Sequence, residues 1–144
     1  MKGVLKMYVV FNDNVVDSKE VALDIEKISE FKVKEDMSQR SKREDVVAFK
    51  LAISIDILRK ELSKELDWND RKPDEDIMDL MMEKADKMAS ELKSLFEEYN
   101  VLSRGYSYTY DQVDEEILMV FLVIPKSLGA LKLEDLTKRM LTLV

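Results

Sequence analysis

The sequence predicts an α+β domain, and three observations predict it. Ile117-Leu-Met-Val-Phe-Leu-Val-Ile124 is a run of eight large apolar residues closed by Pro125. It has no polar face and would make barely two turns of helix, so it reads as a central strand covered on both sides. Tyr106-Ser-Tyr-Thr-Tyr110 alternates strictly, with tyrosine on one face and Ser107 and Thr109 on the other, as a half-buried or edge strand does. The long middle of the chain carries apolar residues at helical spacing among many charges. The expected assembly is a small, mostly antiparallel sheet of about three strands (4–11, 106–110 and 116–124). Over it lie an amphipathic helix, a long antiparallel helical hairpin (44–66 and 74–99) and a short C-terminal helix.

Each element has its own reason. In 4–11, Leu5, Met7, Val9 and Phe11 alternate onto one strand face, and Asn12-Asp13-Asn14 supplies turn chemistry. Ser18 is the expected cap of a helix reaching about Phe31, with Val21, Ile25 and Ile28 on its apolar stripe. Residues 32–43 show no hydrophobic period and are expected to form a connecting loop. The stretch 44–66 is rich in β-branched residues at first, but its length and its Leu-Arg-Lys-Glu-Leu continuation favour helix. Pro73 suits the first position of the next helix, whose first turn holds Asp74, Glu75 and Asp76, where the helix dipole favours acids. The turn Asp111-Gln-Val-Asp114 should join 106–110 and 116–124 as a hairpin, and Leu133, Leu136 and Met140 space the last helix.

The 144 residues fit one domain, 1–144, able to bury a core without covalent staples. Cysteine and histidine are both absent, which excludes disulfides, thiolate chemistry, imidazole bases and the commonest zinc ligands. The net charge of −7 opposes general affinity for nucleic acid, so nucleic acid is not an expected partner. No secretory leader and no span of about 20 apolar residues is visible, so a soluble, cytoplasmic protein without membrane contact is expected. Abundant Lys and Glu beside only two glutamines and four asparagines is a thermophile-like balance.

Three groups of residues are candidates for chemistry or binding. Asp76, Asp79, Glu83 and Asp86 recur at spacings of three, four and three, along one helix face where carboxylates could hold Mg²⁺ or Mn²⁺ for hydrolysis. Glu83-Lys84-Ala85-Asp86 resembles the Glu-x-x-Asp of all-helical nucleotide pyrophosphatases over these four positions, while the preceding helix offers Glu61 and Glu65 and no Glu-x-x-Glu pair. Lys32, Lys34, Arg40, Lys42 and Arg43 form the one basic stretch that could grip phosphate or nucleic acid. Met78, Met81 and Met82, with Tyr106, Tyr108 and Tyr110, are apolar surfaces that a core or a partner must cover. Tyrosines on a strand can also stack bases, but that use normally comes with interleaved cations, and in the sequence only Arg104 is near. The expectation is a protein that acts by protein–protein association, a homo-oligomer without catalysis or cofactor. A metal-dependent hydrolase and a nucleic-acid-associated regulator are the alternatives.

Overall fold

A computed structural model describes residues 8–65 and 74–144 as an α+β protein with two antiparallel sheets. The strands are β1 (Tyr8–Phe11), β2 (Asn14–Asp17), β3 (Lys32–Asp36), β4 (Val47–Ser54), β5 (Val101–Asp111) and β6 (Glu116–Pro125). The helices are α1 (Ser18–Ile28), α2 (Ile55–Ser63), α3 (Asp74–Ser90) and α4 (Ala130–Leu141), with a 3-10 segment Glu91–Phe96 prolonging α3. β1 and β2 pair as a separate hairpin, and the main sheet has the order β3-β4-β6-β5.

The main sheet grows around the two most apolar strands. β6 is buried almost throughout and lies between β4 and β5, as a strand with no polar face must. Pro125 is tolerated at its end. The Lys126 N–H donates to the Asn100 carbonyl at 2.9 Å, and from there the ladder alternates, so position 125 points its missing N–H toward β4, beyond that strand's first residue, Val47.

One sheet face carries Phe49, Leu51, Ile53, Ile117, Met119 and Phe121 against α1, α2, α3 and the inner side of the β1–β2 hairpin. The other carries Ala48, Val120, Leu122 and Ile124 against Leu133, Leu136 and Met140 of α4. The helix α3 lies so close to β5 that a Cβ on Gly105 would stand 2.6 Å from the Ala89 Cβ.

Several expectations are corrected. The N-terminal strand does not join the main sheet: β1 turns back on β2 at Asn12, which adopts the left-handed backbone that asparagine tolerates. Residues 4–7 of the expected strand lie outside the described residues. The sheet therefore has four strands, and the two missing from the expected set are β3, placed in the supposed loop 32–43, and β4, placed in the supposed helix 44–66. Helix α2 starts only at Ile55, where the Ser54 side chain accepts from the Asp56 N–H. Asp17 rather than Ser18 caps α1, accepting from the Lys19 N–H, while the Ser18 hydroxyl donates to Asp36 at 2.6 Å.

The antiparallel helical hairpin is also replaced. Ile55, opening α2, lines a cleft with Ile77 and Met81 near the start of α3. Glu65, just past α2, meets Lys84 further along α3 at 2.7 Å. The two helices run in the same sense where they touch.

Candidate functional site

Helix α4 covers only one end of its sheet face. The other end is open, and its composition follows from strand alternation. Opposite Ala52 and Leu118 the ladder places Lys32 of β3, and beyond Leu118 comes Glu116, paired with Ser54. Lys50, Arg104 and Tyr106 share the face through their pairing with Val120 and Leu122.

Glu116 is the centre of this region. It is 2% exposed, and its two oxygens meet Lys32 at 3.2 Å and Lys34 at 3.1 Å. Both lysines come from β3 and must pass over β4 to reach β6. Ala52, fully buried beneath them, is small enough to let their stems cross. The Lys34–Oε1 contact is an ion pair without a well-directed hydrogen bond. The Glu116 carboxylate holds the Lys34 ammonium above the ordinary lysine value, against partial burial and with Asp114 and Asp111 adding to it.

The three tyrosines are not one ladder. A bulge between Ser107 and Thr109 resets the alternation. Tyr110 falls on the α3 side and packs against that core, whereas Tyr108 packs against the α4 core. The Tyr108 hydroxyl is buried without a hydrogen-bond partner among the described residues, and burial, then Glu35, pushes its pKa up. Tyr106 is 39% exposed, with the Arg104 guanidinium 5.5 Å from its ring centre.

Of the acidic helix face, Asp79 and Glu83 are exposed, and the Asp76 side chain lies outside the described residues. Asp86 turns to β5, where it accepts from both the N–H and the hydroxyl of Ser107. Burial pushes the Asp86 carboxyl above its usual value, and the Ser107 hydrogen bonds pull the other way. Among the described residues no group of three acids stands close enough to hold a metal ion.

The basic stretch is largely engaged. Lys32 and Lys34 hold Glu116, Arg40 pairs with Glu35 and reaches the Leu143 carbonyl, and Arg43 makes a two-pronged contact with Asp45. Lys42 is exposed at a left-handed turn position.

Met81 is in the core; Met78 and Met82 are partly buried against it. Met78, Met81 and Tyr110 meet at a cleft of about 530 Å³ that Arg59 and Gln112 also line.

Two carboxylates perform a function that sequence patterning does not reveal. The Val33 N–H, pointing outward from β3, donates to Glu26 of α1 at 2.8 Å. The Ser107 N–H, pointing outward from β5, donates to Asp86 of α3 at 2.8 Å. Each capped position adjoins its strand's bulge. Both edges of the main sheet are thereby blunted against strand addition. The spacing of Glu26 and Asp86 along their helices gives no signal for this, because each partner is remote in sequence.

No helix among the described residues is long and apolar enough to cross a membrane. Comparison with protein-family models, curated proteins and solved structures finds no match to this chain.

Proposed function

We propose that this protein works by association with other protein molecules, in the first place copies of itself, and without catalysis. The observation that carries the reading is where the exposed large apolar side chains fall. Of the eight exposed large apolar side chains among the described residues, Tyr8, Val15, Leu23 and Ile28, between 52% and 63% exposed, lie in the hairpin and the helix that follows it, while Tyr106, Val113, Leu131 and Val144 are scattered over other parts of the fold. Tyr8, Val10 and Val15 share the outer face of the hairpin by register, while Val9, Phe11 and Val16 face the core. A two-stranded sheet is marginal by itself, and this one has a covered inner face and an uncovered outer one. Burying three or four such side chains between copies would contribute a few kcal/mol before the cost of association.

The blunted edges of the main sheet favour contact between faces over addition of strands. The engagement of Asp86 by Ser107 weighs against the hydrolase reading, because it withdraws one carboxylate from the acidic helix face.

The test is a Val15→Asp, Leu23→Asp double variant, compared with the parent by light scattering and circular dichroism. Both side chains are more than 60% exposed, so the fold should survive. The proposal expects a lower solution mass with an unchanged far-UV spectrum. An unchanged mass would remove the hairpin and α1 as the interface.

A further inference from the structure

The open end of the main sheet supplies what the tyrosines lacked in the sequence. On the linear chain only Arg104 stands near them. In the fold, β3 and β4 bring Lys32, Lys34 and Lys50 onto the face that carries Arg104 and Tyr106. We propose that this face binds single-stranded nucleic acid, with Tyr106 as the stacking platform and Lys32, Lys34 and Lys50 as the phosphate contacts.

Charge on the face differs in sign from charge on the whole molecule. The acids on it are Glu116, neutralised by two lysines, Glu35, paired with Arg40, and Asp111, which stands opposite Glu116 in the β5–β6 register. Lys50 has no ion pair among the described residues, and the Lys32 side chain remains 66% exposed while it holds Glu116. Cations therefore outnumber acids on the face of a chain whose net charge is −7. Asp111 and Asp114 stand at the β5–β6 turn end, and Val120, between Lys50 and Tyr106, is buried under α4, which leaves the next row, over Leu118 and Thr109 from Lys32 toward Tyr106, as the favoured path.

Geometry selects the single strand. From β3 to β5 is three strand spacings, about 14 Å, and the part of the surface that α4 leaves uncovered is a shallow sheet from which, among the described residues, no helix or ribbon projects to enter a duplex groove. Tyr106 offers a partly exposed ring already visited by a guanidinium, an environment in which an unstacked base gains contact with both.

The test is fluorescence anisotropy of a short labelled mixed-sequence oligonucleotide, single-stranded and duplex, titrated with the full chain. Three phosphate contacts on a single strand predict a fall in affinity of roughly 20-fold between 50 and 200 mM salt. Tyr106→Ala should weaken binding by roughly 5-fold or more, Tyr106→Phe should not, and Lys50→Gln should flatten the salt dependence. Lys42→Gln, on an exposed turn outside the face, should bind like the parent. Far-UV spectra confirm that each variant is folded. Absence of binding at low salt, equal binding of duplex, or equal losses in the Lys42 and Lys50 variants would each overturn the proposal. It does not depend on self-association, since a monomer carries the whole face.

Discussion

Ser107 gives both its backbone N–H and its hydroxyl to one oxygen of Asp86, at 2.8 and 2.6 Å. That carboxylate takes the place a further strand would occupy beside β5. The edge strand is therefore finished from within the chain, at the point where its bulge begins.

Asp86→Ala leaves the Ser107 N–H without its acceptor and the hydroxyl with only the Met82 carbonyl, at 3.3 Å, and should cost about 1–3 kcal/mol in chemical denaturation. Asp86→Asn retains an acceptor oxygen and should cost less. Because burial raises the Asp86 carboxyl above its usual value, the folded state disfavours its ionised form. The parent should accordingly gain stability relative to the Asn variant as pH falls through the raised value, and lose that increment as pH rises. A stability difference between the two that does not change with pH would contradict this account of Asp86.

Gly105 is required by proximity. Its added Cβ would meet the Ala89 Cβ at 2.6 Å, with the Met119 sulfur at 3.3 Å. Gly105→Ala should destabilise by about 1–3 kcal/mol through displacement of α3. Combining it with Ala89→Gly should recover part of the loss, a coupling that a double-mutant cycle reads directly. Additive losses would show that the contact does not limit the approach of α3.

Glu116 ties the edge strand β3 to β6 across β4. Glu116→Gln removes the charge that holds Lys32 and Lys34, and both ammonium groups can swing into water, so the cost should be modest, about 1 kcal/mol. The local effect should be larger than the global one: amide exchange should speed up in Lys32–Asp36 and stay unchanged in the centre of β6. For Lys34, whose folded value is raised, the stabilising contribution is complete at neutral pH and is lost as pH climbs through and above the ordinary lysine value. Uniform acceleration across the sheet would contradict a clamp local to β3.

The acidic helix face gives a prediction of no effect. With Asp79 and Glu83 exposed and Asp86 engaged by Ser107, Mg²⁺ or Mn²⁺ should leave the melting temperature unchanged. A rise that Glu83→Gln abolishes would establish the metal site instead.

How much of this was legible in the sequence depends on which signals are local. The β5–β6 hairpin was, because a continuous apolar run and an alternating one stand on either side of a turn. β4 was not, although Val46-Val47-Ala48-Phe49-Lys50-Leu51-Ala52-Ile53 has nearly the character of the run 117–124. Its neighbour α2 follows without a loop, so strand and helix merged into one apparent helix, and only Ser54, ahead of Asp56, marked the border. β3 was hidden because an edge strand whose side chains are mostly charged carries no apolar alternation. The open face was illegible for a different reason. Lys32, Lys50, Glu116 and Tyr106 are distant in sequence, and only the order β3-β4-β6-β5 gathers them. The bulge at Ser107–Thr109 likewise divided a tyrosine alternation that looked unbroken.

Association is the central claim, and solution mass tests it most directly. Light scattering of the parent protein across a wide range of protein and salt concentrations should give a dimer or larger species that persists at high salt, since the contact proposed for Val15, Leu23 and Ile28 is apolar. A monomer at every concentration would contradict the claim.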